Sequence, residues 1–234
     1  MIQELLHALE QLENDQQLRF LLLRGKGRHF SAGADLQWMQ QSASLDYDAN
    51  LRDAQALAEI MYRLYQLPVP TLAVVQGAAF GGAVGLIACC DMAIGADDAQ
   101  LSLSEVRIGL APAVIMPFVV KAIGERASRR YAISGGRFSG QRACELGLFA
   151  ESYPAAELDE RLAGWITTLL SNSPQAMRAS KALVHEASRH TLPPELRHYT
   201  EQSIARIRVS AEGQEGLHAF LEKRSPNWSQ EPHS

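Results

Sequence analysis

Leucine or isoleucine at positions 2, 5, 6, 9 and 12 gives the first fourteen residues the apolar stripe of an amphipathic helix. Leu18 to Leu23 is almost wholly apolar and runs into Gly25, which predicts a short strand buried on both faces. Helical spacing returns from Asn50 to Leu67 and stops at Pro68 and Pro70. Thr71 to Val75 reads as a second buried strand, and a Gly/Ala stretch from Gly77 opens a helix to about Cys90. Asp91 to Ala96 and Leu101 to Leu103 read as short strands. This alternation predicts an α/β fold with parallel pairing and right-handed crossovers. From Val114 onward helical stripes dominate, over 114–123, 126–134, 139–146, 157–171, 174–190, 194–208 and 213–224. Leu148 to Tyr153 is the strand-like run among them. The chain therefore divides into an α/β core over 1–155 and a helical region over 156–234.

Composition narrows the class. Hydrophobic residues make up 47% of the 234, which excludes a chain disordered throughout. With 22 Lys+Arg against 26 Asp+Glu the net charge is −4, and no long basic run is present, so nucleic acid is not an expected partner. The richest apolar run, Gly77 to Cys90, falls short of the ~18 residues of a membrane span, and acids rather than a basic segment open the chain. Cys89, Cys90 and Cys144 are odd in number and sit in apolar helical patterns. They read as buried free thiols in a reducing, cytoplasmic compartment.

Several motifs fail on inspection. Gly25-Lys-Gly27-Arg-His-Phe30 lacks the last glycine of a dinucleotide fingerprint, and no phosphate-binding GxxxxGK[ST] or GxSxG nucleophile turn occurs. His185 and His190 lie five apart, about 140° around a helix, so they cannot share an ion. No metal site is expected.

Two glycine-rich turns remain, each after a buried strand. The first is His29-Phe-Ser-Ala-Gly-Ala-Asp35-Leu36; the second, Gly77-Ala-Ala-Phe-Gly81-Gly82-Ala83, opens a helix. Small residues let a ligand approach backbone N–H groups, and the second set stands at the positive end of a helix. Two such donors aimed at one oxygen make an oxyanion hole, worth about 2.7–4 kcal/mol per donor. Either turn taken alone reads better as a tight turn and nothing more.

Taken together, and followed by Ser104-Glu105-Val106-Arg107-Ile108-Gly109, the turns resemble the crotonase (enoyl-CoA hydratase/isomerase) family along nearly the whole chain. Phe80-Gly-Gly-Ala-Val-Gly-Leu-Ile-Ala-Cys-Cys-Asp91 and Phe30-Ser-Ala-Gly-Ala-Asp-Leu-Gln-Trp-Met39 look most like its bacterial 3-methylglutaconyl-CoA and γ-carboxygeranoyl-CoA hydratases. The resemblance implies stacked ββα units followed by a helical trimerisation region. It also implies an acyl-CoA thioester substrate, no cofactor beyond the CoA that the substrate carries, and a homotrimer or dimer of trimers. It assigns the N–H groups of Ala34 and Gly82 to the thioester oxygen and makes Glu105 the acid/base. A wall of Leu103, Val106 and Leu110 would raise the pKa of that carboxyl. Arg28, Ala32, Gly33, Asp35 and Gly81 fall at substrate or CoA positions, as do Phe220 and Lys223 near the C-terminus.

The chain departs from the family pattern in two places. Hydratases of the family usually carry two glutamates, whereas Gly85 stands at the first of these positions, leaving Glu105 alone. That pattern also suits a Δ3,Δ2-enoyl-CoA isomerase; Asp35, Glu125 or a carboxylate on the substrate could assist a hydration, and Arg107 could pair with such a carboxylate. The family's initial strands are missing ahead of the first helix, which would leave the next strand as a sheet edge. A non-catalytic CoA-binding or RNA-binding member is the remaining alternative. Glu4, Glu10, Glu13 and Asp15 on or beside the first helix speak against RNA.

Overall fold

Leu72, Ala73, Val74 and Val75 are wholly buried, and strand β2 (Thr71–Val75) runs through the middle of the larger sheet. A computed structural model describes residues 1–33, 46–188 and 194–229. In chain order the first elements are α1 (Ile2–Glu13), β1 (Leu21–Arg24), α2 (Tyr47–Gln66), β2, β3 (Ala78–Phe80) and α3 (Gly82–Cys89). Then come β4 (Met92–Ala96), β5 (Gln100–Ser102), a 3-10 turn (Glu105–Ile108), α4 (Met116–Ser134), β6 (Arg137–Ser139), α5 (Gly140–Glu145) and β7 (Glu151–Tyr153). Helices α6 (Leu158–Ser171), α7 (Pro174–Ala187), α8 (Pro194–Val209) and α9 (Ala211–Leu221) follow.

The described chain forms two units. The first comprises Met1–Gln16, Leu21–Leu67 and Thr71–Leu162. It holds a four-stranded parallel sheet in the order β1-β2-β4-β7, with Leu22 opposite Leu72 and Leu72 opposite Met92. A second sheet, β3-β5-β6, pairs β3 parallel to β5 and β5 antiparallel to β6. An unbroken apolar run is what a parallel strand with both faces covered requires, and β2 has one. Strand β1 is only half-buried, because among the described residues it lies at the sheet edge, paired with β2 on one side. The two-faced burial expected for it is therefore corrected.

Hydrogen bonds pin the strand ends. The Asp91 carboxylate accepts from the Thr71 N–H (2.8 Å) and hydroxyl (3.0 Å), while the Thr71 oxygen accepts from the Asp91 N–H (2.8 Å). Arg63 joins α2 to α1 through Glu10 and Glu13 and also pairs with Glu59 on its own helix. The two helical stripes expected at 114–123 and 126–134 form one element, α4, broken inside by Gly124 at φ 76°, ψ 162°. Two strands escaped the sequence pattern: β3, placed there within the start of a helix, and β6, which occupies part of the gap between two helical stripes.

The second unit comprises Gln17–Phe20, Pro68–Pro70 and the residues from Ala163 on. Its helix α7 holds two short segments by their carbonyls, Arg178 donating to Leu18 (2.8 Å) and Lys181 to Val69 (3.0 Å), and Arg19 of the first segment donates in turn to the Leu170 carbonyl of α6 (2.9 Å). Ser173 caps α7 and Ser210 caps α9, each accepting from the N–H three residues on. Arg224 grips Glu215 with two bonds (2.7 and 2.9 Å), pulling that carboxyl down to about 2.

Candidate active site

The segment after β1 is laced to the start of the second sheet. The Gln76 side-chain amide donates to the Gly25 (2.6 Å) and Gly27 (3.1 Å) carbonyls, and the Phe30 N–H donates to the Gln76 carbonyl (2.8 Å). Nδ1 of His29 accepts from the Ala78 N–H (3.0 Å), so that nitrogen carries no proton. Ser31 then bridges to β3, donating to Ala78 (3.0 Å) and accepting from Phe80 (3.1 Å). These bonds bring the first small-residue turn alongside the second: a Cβ on Gly33 would stand 3.9 Å from that of Phe80. Ala34 and Asp35, the next residues, lie outside the described residues, as do Gln37 and His190.

The second turn is built by Gly81. Its φ of 59° and ψ of −124° belong to a region that side chains rarely enter, and its N–H donates to the Ser102 carbonyl of β5 (2.9 Å). Helix α3 starts one residue later. Gly82 stands in its first turn, where N–H groups have no intrahelical acceptor, and the space beside its Cα is open.

Glu105 reaches this turn from the other side. It leads the 3-10 turn after β5, and its Oε1 lies 3.1 Å from the point where a Cβ on Gly81 would project. Oε2 is buried and accepts no hydrogen bond. Burial pushes the carboxyl above the usual glutamate value, opposed in part by the residue's own backbone N–H. The wall differs from expectation. Leu103 is fully buried, but Val106 and Leu110 are exposed, so they do not desolvate the carboxyl from the outside. A small apolar hollow of about 380 Å³ begins at Val106 and runs past Pro112 to Ile133.

Gly85 has no room for any side chain. A Cβ there would lie 2.2 Å from Cγ2 and 2.6 Å from Cβ of Ile115, and 3.2 Å from Cε of Met61. Ile115 carried no signal in the sequence. A glycine in the middle of a helix hints at a close neighbour, but pattern alone does not say which residue, thirty positions on, supplies it.

The other expected residues are dispersed. Glu125 is exposed and pairs with Arg129 at 2.9 Å on α4, so it does not assist Glu105 in this arrangement. The Arg107 side chain lies over Gly135, its Nε 3.1 Å from the Cβ position there. Arg28 and Ala32 are exposed on the first turn. Phe220 (82% exposed) and Lys223 belong to the second unit. An open cleft of about 830 Å³ along α4 contains none of the expected site residues except Glu125. Among the described residues no three His, Cys, Asp or Glu side chains gather to hold a metal, and no helix is long and apolar enough to cross a membrane. All three cysteines are free; Cys89 is buried, with its thiol pushed up by burial, while Cys90 and Cys144 are half-buried rather than fully so.

A parallel sheet, a segment ending at Gly33 beside Phe80, and a half-buried carboxyl beside Gly81 define an α/β protein with its small-residue segments and one acid drawn together. Residues 1–231 match the family model for enoyl-CoA hydratase/isomerase. The solved enoyl-CoA hydratase of Shewanella pealeana superposes with a TM-score of 0.91 at 48% identity, covering 97% of this chain and 85% of that one. A Legionella pneumophila structure described as an enoyl-CoA hydratase/isomerase of crotonase type gives 0.92 at 44%, over 97% and 88%. A hydroxycinnamoyl-CoA hydratase-lyase of Pseudomonas fluorescens is 34% identical over 183 residues, 76% of this chain and 66% of its own. The chain belongs to the enoyl-CoA hydratase/isomerase family and has the crotonase fold. It is an enzyme of that kind, acting on enoyl-CoA thioesters.

Proposed function

We propose that this protein hydrates a branched or carboxylated 2-enoyl-CoA, with 3-methylglutaconyl-CoA as the type substrate. The single observation that supports it best is the Glu105 carboxyl, one oxygen beside Gly81 and the other buried without a partner, next to a helix start with open N–H groups. The N–H groups of Gly82 and Ala34 hold the thioester oxygen. Glu105 as carboxylate takes a proton from water, whose oxygen bonds to C3 while the alkene electron pair moves through C2 onto the held oxygen as an enolate. The acid formed on Glu105 then returns the proton to C2, and the hydroxyacyl product is complete. A raised pKa matches a group that must be both base and acid near neutrality. A carboxylate on the substrate can hold the water in place of a second glutamate.

Arg28, Ala32, Gly33, Asp35 and Gly81 line the path of CoA in this reading. Phe220 and Lys223 reach it across a trimer or dimer of trimers. The compartment is cytoplasmic.

One observation favours a second reading, a Δ3,Δ2-enoyl-CoA isomerase. Position 85 admits no acidic side chain, and shifting a double bond needs no water and only one base. Incubation with 3-methylglutaconyl-CoA, crotonyl-CoA and a 3-enoyl-CoA, followed by the absorbance of the 2-enoyl thioester, separates them. Loss of absorbance from the methylglutaconyl ester supports hydration; gain from the 3-enoyl ester alone replaces it with isomerisation.

A further inference from the structure

We propose that Ile115 is a specificity-determining residue: its side chain fills the volume into which residue 85 would project, and so keeps a second carboxyl from standing at that position. The inference rests on Glu105 being the acid/base, as proposed above.

The steric case is direct. Two carbon atoms 2.2 Å apart cannot coexist without bonding, and Ile115 has little freedom to yield. It is 2% exposed, Met61 is fully buried, and a β-branched side chain is stiff about χ1. Gly85 has an ordinary helical conformation rather than a left-handed one, so the backbone does not demand glycine there. The packing does. A glycine inside a helix costs about 1 kcal/mol relative to alanine, a cost that is otherwise unexplained in α3.

The location gives the pair its functional meaning. Gly81 is the N-cap residue ahead of α3, and Gly85 lies four residues on, about one 5.4 Å turn into the helix. The first faces the Glu105 carboxylate and the second faces Ile115. Hydrocarbon therefore fills the side-chain position one turn along the chain from the glycine that borders the acid/base. Adding water across a double bond requires one proton to be removed and another delivered. With Ile115 in place Glu105 performs both, and substrates without a carboxylate of their own, such as crotonyl-CoA, are hydrated slowly.

Two measurements test this separately from the role of Glu105. In a thermal double-mutant cycle, Gly85→Ala lowers the Tm of the wild type by roughly 2–10 °C, and the loss is largely recovered in an Ile115→Ala background. Equal losses in both backgrounds overturn the packing pair. The second compares crotonyl-CoA hydration by Ile115→Ala with that by Gly85→Glu/Ile115→Ala, checking by circular dichroism that both fold. The double variant is expected to be faster by about tenfold or more, with a second carboxyl ionisation in its kcat–pH profile. A folded double variant that is no faster than Ile115→Ala contradicts the proposal. If Glu105→Gln leaves wild-type turnover unchanged, the acid/base reading fails instead, while the thermal cycle still judges the pair.

Discussion

Glu105 and Gly81 limit one another: the carboxylate oxygen stands 3.1 Å from the place where any side chain on the glycine would begin. The same glycine has φ 59°, so alanine there strains the backbone as well as crowding the acid. Gly81→Ala is expected to cost about 1–3 kcal/mol of stability. Displacing the carboxyl by a fraction of an ångström to one ångström should lower kcat by up to about 10²-fold. Steady-state kinetics on the folded variant checks this; a variant with wild-type kcat would show that the contact does not position Glu105.

The unpartnered carboxyl makes stability depend on pH. Its folded pKa lies above the ordinary 4.5, so the folded state binds this proton more tightly than the unfolded chain. Its contribution is fully present below the ordinary value and is lost as pH rises to the folded one. Glu105→Gln removes that loss. The variant should therefore gain stability relative to wild type as pH rises from acid to neutral, as read from urea unfolding at each pH. A difference that does not vary with pH would contradict the burial argument.

Thr71 and Asp91 form a reciprocal pair at the entry to β2. Thr71→Val keeps the shape and the β-branch but leaves the Asp91 N–H without its acceptor. The expected cost is about 1–3 kcal/mol, seen as a lower urea midpoint at unchanged slope. Catalytic constants measured well below that midpoint should hold, since the pair sits at the far end of β2 from the glycine turn.

Helix α9 exposes Leu217, Phe220 and Leu221, and α4 exposes Ile133. An apolar set of this kind suits the proposed trimer. Light scattering during size exclusion should give a mass three or six times that of the chain. Phe220→Asp should reduce it and raise the KM for the CoA ester while leaving the fold intact. A monomer at micromolar concentration with full activity would remove both the assembly and the CoA contact across it.

Much of this architecture was legible before any coordinates. The run Thr71–Val75 is apolar because both faces of β2 are covered, and such runs declare themselves. The glycine turns were legible as turns, since small residues cluster where a strand ends; a role in a site was suggested only by the two taken together with Glu105. What failed to show was set by contacts distant in sequence. Strand β3 is three residues long and too short to carry a period, and its pairing depends on Gln100–Ser102 and on Ser31. The run Leu18 to Leu23 reads as doubly buried because it is almost wholly apolar, whereas the strand it forms, Leu21–Arg24, is half-buried, since burial depends on the neighbours the sheet supplies. The acid itself stood out at Glu105, but how far its neighbours are buried did not: Leu103 is fully buried, whereas Val106 and Leu110 are exposed. The fit of Ile115 against Gly85 appears only in three dimensions.

The central claim is that main-chain amides of the two small-residue turns polarise a thioester carbonyl. Isotope-edited infrared spectroscopy of a saturated acyl-CoA labelled with ¹³C at that carbonyl, bound to the Glu105→Gln variant, tests it without turnover. The account predicts a carbonyl stretch displaced to lower frequency than in free solution. A bound thioester whose stretch stays at its solution value, or rises, would contradict it.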